Sequence, residues 1–140
     1  MSLHPALLAE LLADEVEATR GRPRLVGRFE SIVVEGPDVY VRLLPTRVGA
    51  ATIRFGGAGY DAEPFQVAVV DEAGNVAPQA EWPPGLFHSI HPVLQRGFVC
   101  IQGTFEYHCH PQHLGNPWAT RREMLRLPQL LRHILKKVGQ

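Results

Sequence analysis

Residues 25–75 contain four short segments of alternating or β-branched residues, each cut off by a turn signal before it can grow. The first is 25–35, closed by Gly36-Pro37-Asp38; the second, 39–44, is ended by Pro45; the third is 51–55; the fourth, 66–70, runs into a turn over 71–75. Connections this short leave no room for a crossover helix, so successive strands must run antiparallel, as a meander. Such a sheet has one apolar face that another layer must cover. The run Gly56-Gly57-Ala58-Gly59 lacks the Lys-Ser/Thr ending of a phosphate loop and reads as a turn.

Both flanks supply covering helices. Over 3–20, Leu7, Leu8, Leu11, Leu12 and Val16 recur at a spacing near 3.6, with Asp14, Glu15 and Glu17 mostly off the stripe. Ser2 is placed to cap this helix, Pro5 suits its first turn, and Gly21 and Pro23 stop it. Near the other end, Pro128 suits the first turn of a helix whose buried face is Leu130, Leu131, Ile134, Leu135 and Val138. Thr120 with Glu123 has the spacing of a capping box, which predicts a helix starting there. The expectation is one α+β domain over 1–140, with an N-terminal helix, a four-stranded antiparallel meander, a long irregular loop and C-terminal helices.

Charge and composition narrow the function. Fourteen basic residues balance fourteen acidic ones, so no strong field favours nucleic acid or anionic lipid. No apolar run reaches the roughly 18 residues of a membrane span. Without a basic n-region at the start and with only two cysteines, the reading is a cytoplasmic chain with reduced thiols.

The chemistry is concentrated between Trp82 and Trp118, which holds both cysteines, both tryptophans and five of the seven histidines. Thiols and imidazoles perform nucleophilic, acid–base and metal chemistry near neutral pH. By its apolar neighbours Val99 and Ile101, Cys100 reads as a buried cysteine. By the preceding His91-Pro92 and Gly97-Phe98-Val99, it reads as a nucleophile.

That second reading comes from a resemblance. An amphipathic helix, a four-stranded meander, Gly59-Tyr60-Asp61-Ala62-Glu63-Pro64-Phe65 before the fourth strand, His91-Pro92-Val93, Gly97-x-x-Cys100, Trp118 and closing helices follow one another in order. This order resembles the ubiquitin-conjugating enzymes, whose corresponding motifs are Tyr-Pro-x-x-Pro-Pro, His-Pro-Asn and Gly-x-x-Cys. The resemblance implies a ubiquitin-conjugating-enzyme-like fold. It also implies that Cys100 carries a ubiquitin-like modifier as a thioester, received from an activating enzyme and passed to an amine of a protein target, with no cofactor. A divergent bacterial member from a ubiquitination-like antiviral defence operon is the implied setting. His91 and Pro92 would shape the active loop through backbone hydrogen bonds, with Trp118 packed beneath it. The cluster Arg20, Arg22, Arg24 and Arg28 would meet the activating enzyme, or is an ordinary solvated face.

Two departures bear on mechanism. Val93 stands where the family has an asparagine that supports the oxyanion, and its side chain donates no hydrogen bond. The segment after Cys100 is longer than the family's and carries His108, Cys109, His110 and His113. One reading gives His108, His110 or His113 an acid–base or oxyanion role beside Cys100. Another makes His108, Cys109, His110 and His113 a zinc site. A third is a chance surface cluster. At the level of the whole chain, a catalytically inactive interaction module of the same fold and a zinc-binding protein stand beside the enzyme.

Overall fold

The computed structural model describes residues 3–46 and 49–139. Its elements are α1 (Pro5–Arg20), β1 (Phe29–Glu35), β2 (Asp38–Leu43), β3 (Thr52–Gly56), β4 (Gln66–Val70), β5 (Ser89–Ile90), β6 (Gly97–Phe98), α2 (Phe105–His108) and α3 (Leu127–Lys137). Single 3-10 turns lie at Gln79–Glu81, Pro111–His113 and Trp118–Thr120. The architecture is α+β: an N-terminal helix, a four-stranded antiparallel sheet in the order β1-β2-β3-β4, and a C-terminal helix.

The register aligns the apolar residues into columns across the meander. Val41 lies opposite Ile53, which lies opposite Val69; Val39, Phe55 and Val67 form the next column. All six are buried and share one core with Leu8, Leu12 and Val16 of α1 and Leu130, Leu131 and Ile134 of α3. Burying an aliphatic or aromatic side chain of this size contributes about 1.5–3 kcal/mol. In β1 only Ile32 is buried, consistent with its place at the sheet edge.

Several boundaries differ from expectation, each for a local reason. Residues 25–28 are turns, not strand: the amides of Leu25 and Val26 bond to the carbonyl of Arg22, and Gly27 has a positive φ of 78°. Leu25 is nonetheless buried. Ser2 lies outside the described residues; the ring Nδ1 of His4 accepts the Ala6 amide at 3.1 Å and caps α1. Thr120 starts no helix. Its hydroxyl bonds back to the Pro117 carbonyl at 2.8 Å, leaving no cap for the amides ahead. The helix begins at Leu127, with Pro128 in its first turn.

What caps α3 is a residue from the far end of the chain. Glu15, placed off the apolar stripe by sequence, is buried on α1. Its Oε1 accepts the Leu127 amide at 2.9 Å and the Tyr60 hydroxyl at 2.8 Å, and its Oε2 meets Arg126 Nη2 at 2.6 Å. Gln129 Oε1 accepts the Arg126 amide at 3.1 Å. Arg126 also binds Asp61 Oδ1 at 2.6 Å and lies over the Tyr60 ring, 4.9 Å from its centroid. A carboxylate at a helix N-terminus satisfies an orphan amide and complements the helix dipole. Here it also ties both long helices to the 60–65 loop that supports the site.

Candidate active site

Phe65 links that loop to the segment that follows Cys100: its carbonyl accepts the Phe105 amide at 2.7 Å, and its ring stacks on Tyr60. The indole N–H of Trp118 donates to the Asp61 carbonyl at 2.9 Å, and the ring is buried between Tyr60 and His108. Gly97 packs against the Phe87 ring so closely that a Cβ would overlap it. After the short pairing of β5 with β6 the chain reaches Cys100 as irregular backbone.

His91 is fully buried, and backbone occupies both its nitrogens. Nδ1 accepts the amides of Val93 at 3.1 Å and Leu94 at 3.0 Å; Nε2 lies 2.8 Å from the Glu106 carbonyl. A ring that accepts at Nδ1 and faces a carbonyl at Nε2 carries its proton on Nε2. This geometry shapes the loop and leaves His91 no free lone pair. Pro92 and Val93 are exposed beside it.

Glu106, which sequence reasoning missed, holds the loop to the sheet. It is fully buried, accepts the Val67 amide at 2.9 Å and pairs with Arg96 Nη2 at 3.0 Å. Burial pushes its carboxyl pKa up, against the opposing pull of the Val67 amide and Arg96. No local pattern marks it, because Val67 lies 39 residues away in sequence.

The four clustered residues point different ways. His108 Nδ1 lies 2.8 Å from the Asn116 carbonyl, and its Nε2 accepts the Gly103 amide at 3.1 Å. Cys109 Sγ turns to His91 Nε2 at 3.6 Å. His110 Nδ1 accepts the Gln112 amide, and its ring packs near His91 and Phe98. His113 alone of the three clustered histidines approaches the nucleophile candidate, with Nε2 at 3.9 Å from Cys100 Sγ. Among the described residues no three His, Cys, Asp or Glu side chains converge as metal ligands, so the zinc reading of His108, Cys109, His110 and His113 is not supported. The single turn of α2 and the 3-10 turn at Pro111–His113 that follows it disperse the four side chains, and three of them are engaged by the loop itself.

His113 is held by a parallel stack on Tyr107, 3.9 Å between centroids at 10°. Asn116 fastens the loop: its Nδ2 donates to the Tyr107 hydroxyl at 3.3 Å, its Oδ1 accepts from Arg121 Nε at 3.0 Å, and its carbonyl meets His108. Cys100 is half-buried, and desolvation pushes its thiol pKa up while nearby Lys137 pulls it down. Cys100, Ile101 and Gln102 form one wall of an open cavity of about 360 Å³; His133, Lys136 and Lys137 at the end of α3 form the other. Gln102 was not singled out from sequence. Its side-chain amide makes no hydrogen bond among the described residues.

The double use of His108 predicts a local pH response. Desolvation holds its pKa below the ordinary 6.5. Protonating Nε2 removes the acceptor for the Gly103 amide. Opened loop therefore binds more protons than closed loop between 6.5 and the depressed value, and loop stability falls as pH drops through that window. The protection factor of the Gly103 amide should decrease by up to about tenfold per pH unit there. His108→Gln should flatten the dependence; an unchanged slope in that variant would exclude His108 as its origin.

No protein-family model matches the chain, and no curated protein matches it significantly.

Proposed function

We propose that the protein is a ubiquitin-conjugating-like acyl carrier with a ubiquitin-conjugating-enzyme-like fold, working through Cys100. The observation that carries the reading is a half-exposed sulfur on the wall of a cavity, 3.9 Å from an imidazole nitrogen, at the end of a loop built on a backbone-bound His91. The order of helix, meander and closing helix supports it further.

In loading, the Cys100 sulfur attacks the carbonyl carbon of the thioester on the activating enzyme. The new C–S bond to Cys100 forms, the donor C–S bond breaks, and the donor thiolate leaves. The thiol proton passes to His113 Nε2 and on to that thiolate. A thiol whose pKa is raised by burial is protonated at neutral pH, so a neighbouring base matters. In transfer, an amine of the protein target attacks the same carbonyl, His113 takes the amine proton, and Cys100 departs as the thiol. Gln102 supplies the oxyanion donor that Val93 does not. No cofactor enters either step. The setting is bacterial, cytoplasmic and reducing, within antiviral defence. No helix among the described residues is long and apolar enough to cross a membrane.

Charging tests this. With ATP and the activating enzyme and ubiquitin-like modifier encoded beside it, the protein should form an adduct that thiols reverse. Cys100→Ala should abolish the adduct and Cys109→Ser should retain it. With the activating enzyme demonstrably loaded, no adduct on the wild type would favour an interaction module of the same fold, the reading that Val93 supports. An adduct requiring Cys109 would relocate the nucleophile.

A further inference from the structure

The chain is neutral overall, yet its basic groups are unevenly placed. Those that make ion pairs among the described residues are Arg20, Arg42, Arg96, Arg122 and Arg126. Arg22, Arg24, Arg28, Arg132, Lys136 and Lys137 are exposed and make none. These six belong to one surface. A depression between Arg22 and Arg132 shares Arg24 and Arg132 with a second, which shares Lys136 with the cavity at Cys100. No Asp or Glu lines any of the three, and Leu25 and Leu135 form an apolar floor.

A row of unpaired like charges along a trough raises the local concentration of an oppositely charged partner and steers its approach. The trough ends on the sulfur, where the acyl carbon must arrive. No Phe, Tyr or Trp lines it to stack bases, and its floor is aliphatic, which favours polypeptide over nucleic acid. We infer that the acyl donor received by Cys100 is an acidic polypeptide, whose carboxylates lie along the trough from Arg24 and Arg28 to Lys136 and Lys137 while its C-terminus reaches Cys100. This inference rests on the acyl-carrier reading and specifies its substrate class.

Synthetic peptide thioesters ending in Gly-Gly, about twelve residues or roughly 40 Å when extended, separate the two claims. Three versions carry Glu-rich, Ser-rich and Lys-rich bodies. Transthioesterification conserves the acyl group: the peptide–sulfur bond breaks, the peptide–Cys100 bond forms, and the small thiol leaves with the proton. The Glu-rich thioester should load Cys100 about tenfold faster than the Ser-rich one at low salt, converging near molar salt. Arg28→Glu with Lys136→Glu should put the Lys-rich thioester ahead. Equal loading of all three would overturn the acidic-donor inference and leave the acyl carrier standing. If none loads, the acyl-carrier reading loses its support. The trough is then judged by fluorescence anisotropy of the free peptide acids on Cys100→Ser protein. Binding of the Glu-rich peptide that Lys136→Glu weakens would sustain an acidic partner; no binding, or tighter binding of duplex DNA of equal charge, would overturn it.

Discussion

Replacing Glu15 with alanine is expected to lower the unfolding free energy by about 3–5 kcal/mol, the range for removing one partner of a buried ion pair. The change takes from Arg126 one of its two carboxylate partners, leaving it Asp61, and leaves the first amide of α3 and the Tyr60 hydroxyl without their acceptor. Set against the roughly 5–15 kcal/mol that holds a typical domain together, the loss should be plain in urea unfolding at pH 7. Glu15→Gln keeps an oxygen for the Leu127 amide and gives up the charge, so it should fall between wild type and alanine. Pairing Glu15→Leu with Arg126→Met removes both charges and should recover part of the loss, because most of the single-mutant penalty is the abandoned partner. Asp61 limits the recovery, since it too relies on Arg126. A loss below about 1 kcal/mol for Glu15→Ala, the scale of an exposed ion pair, would mean that this contact does not fasten the helices.

His113→Ala carries the second large effect, on rate and not on stability. A positioned general base contributes about 10²–10⁴-fold, so transfer from charged Cys100 to a free amine should slow by that order. Loading should slow less, because a thiol reaches its reactive form through solvent more readily than an ammonium does at neutral pH. His110→Ala should have the smaller effect on transfer, since its ring faces His91 and Phe98 and makes no contact with the sulfur. Single-turnover chase of the thioester with lysine reads both variants. Equal rates for His113→Ala and wild type would remove the imidazole from the reaction; a larger loss in His110→Ala would exchange their roles.

The parts of this molecule that repeat along the chain were legible without coordinates. Leucines at helical spacing announced α1, and turns such as Gly36-Pro37-Asp38 set the meander's order. The fourth strand falls where alternation and the Asp71 turn place it: Asp71 Oδ1 accepts the amides of Ala73 and Asn75. What failed was whatever depends on distant partners. Glu15 looked like a solvent residue because Tyr60 and Arg126 lie 45 and 111 positions away. Thr120 had the right neighbour for a capping box, yet its hydroxyl went backward to Pro117. The clustered histidines are spread over one turn of α2 and one 3-10 turn, too short to show a period, so spacing gave no direction for their rings. Only the stack on Tyr107 and the clasp of Asn116 decide that His113 faces the sulfur.

That clasp has a consequence for how the protein ages. Asparagines in loops commonly deamidate when the next residue's backbone nitrogen attacks the side-chain amide and closes a succinimide ring. The residue after Asn116 is Pro117, whose nitrogen carries no hydrogen. The usual ring closure is therefore blocked at the one asparagine whose conversion to aspartate would cost the Tyr107 hydroxyl its amide donor. A clock that loosens many loops over months is stopped at the residue that keeps this one shut.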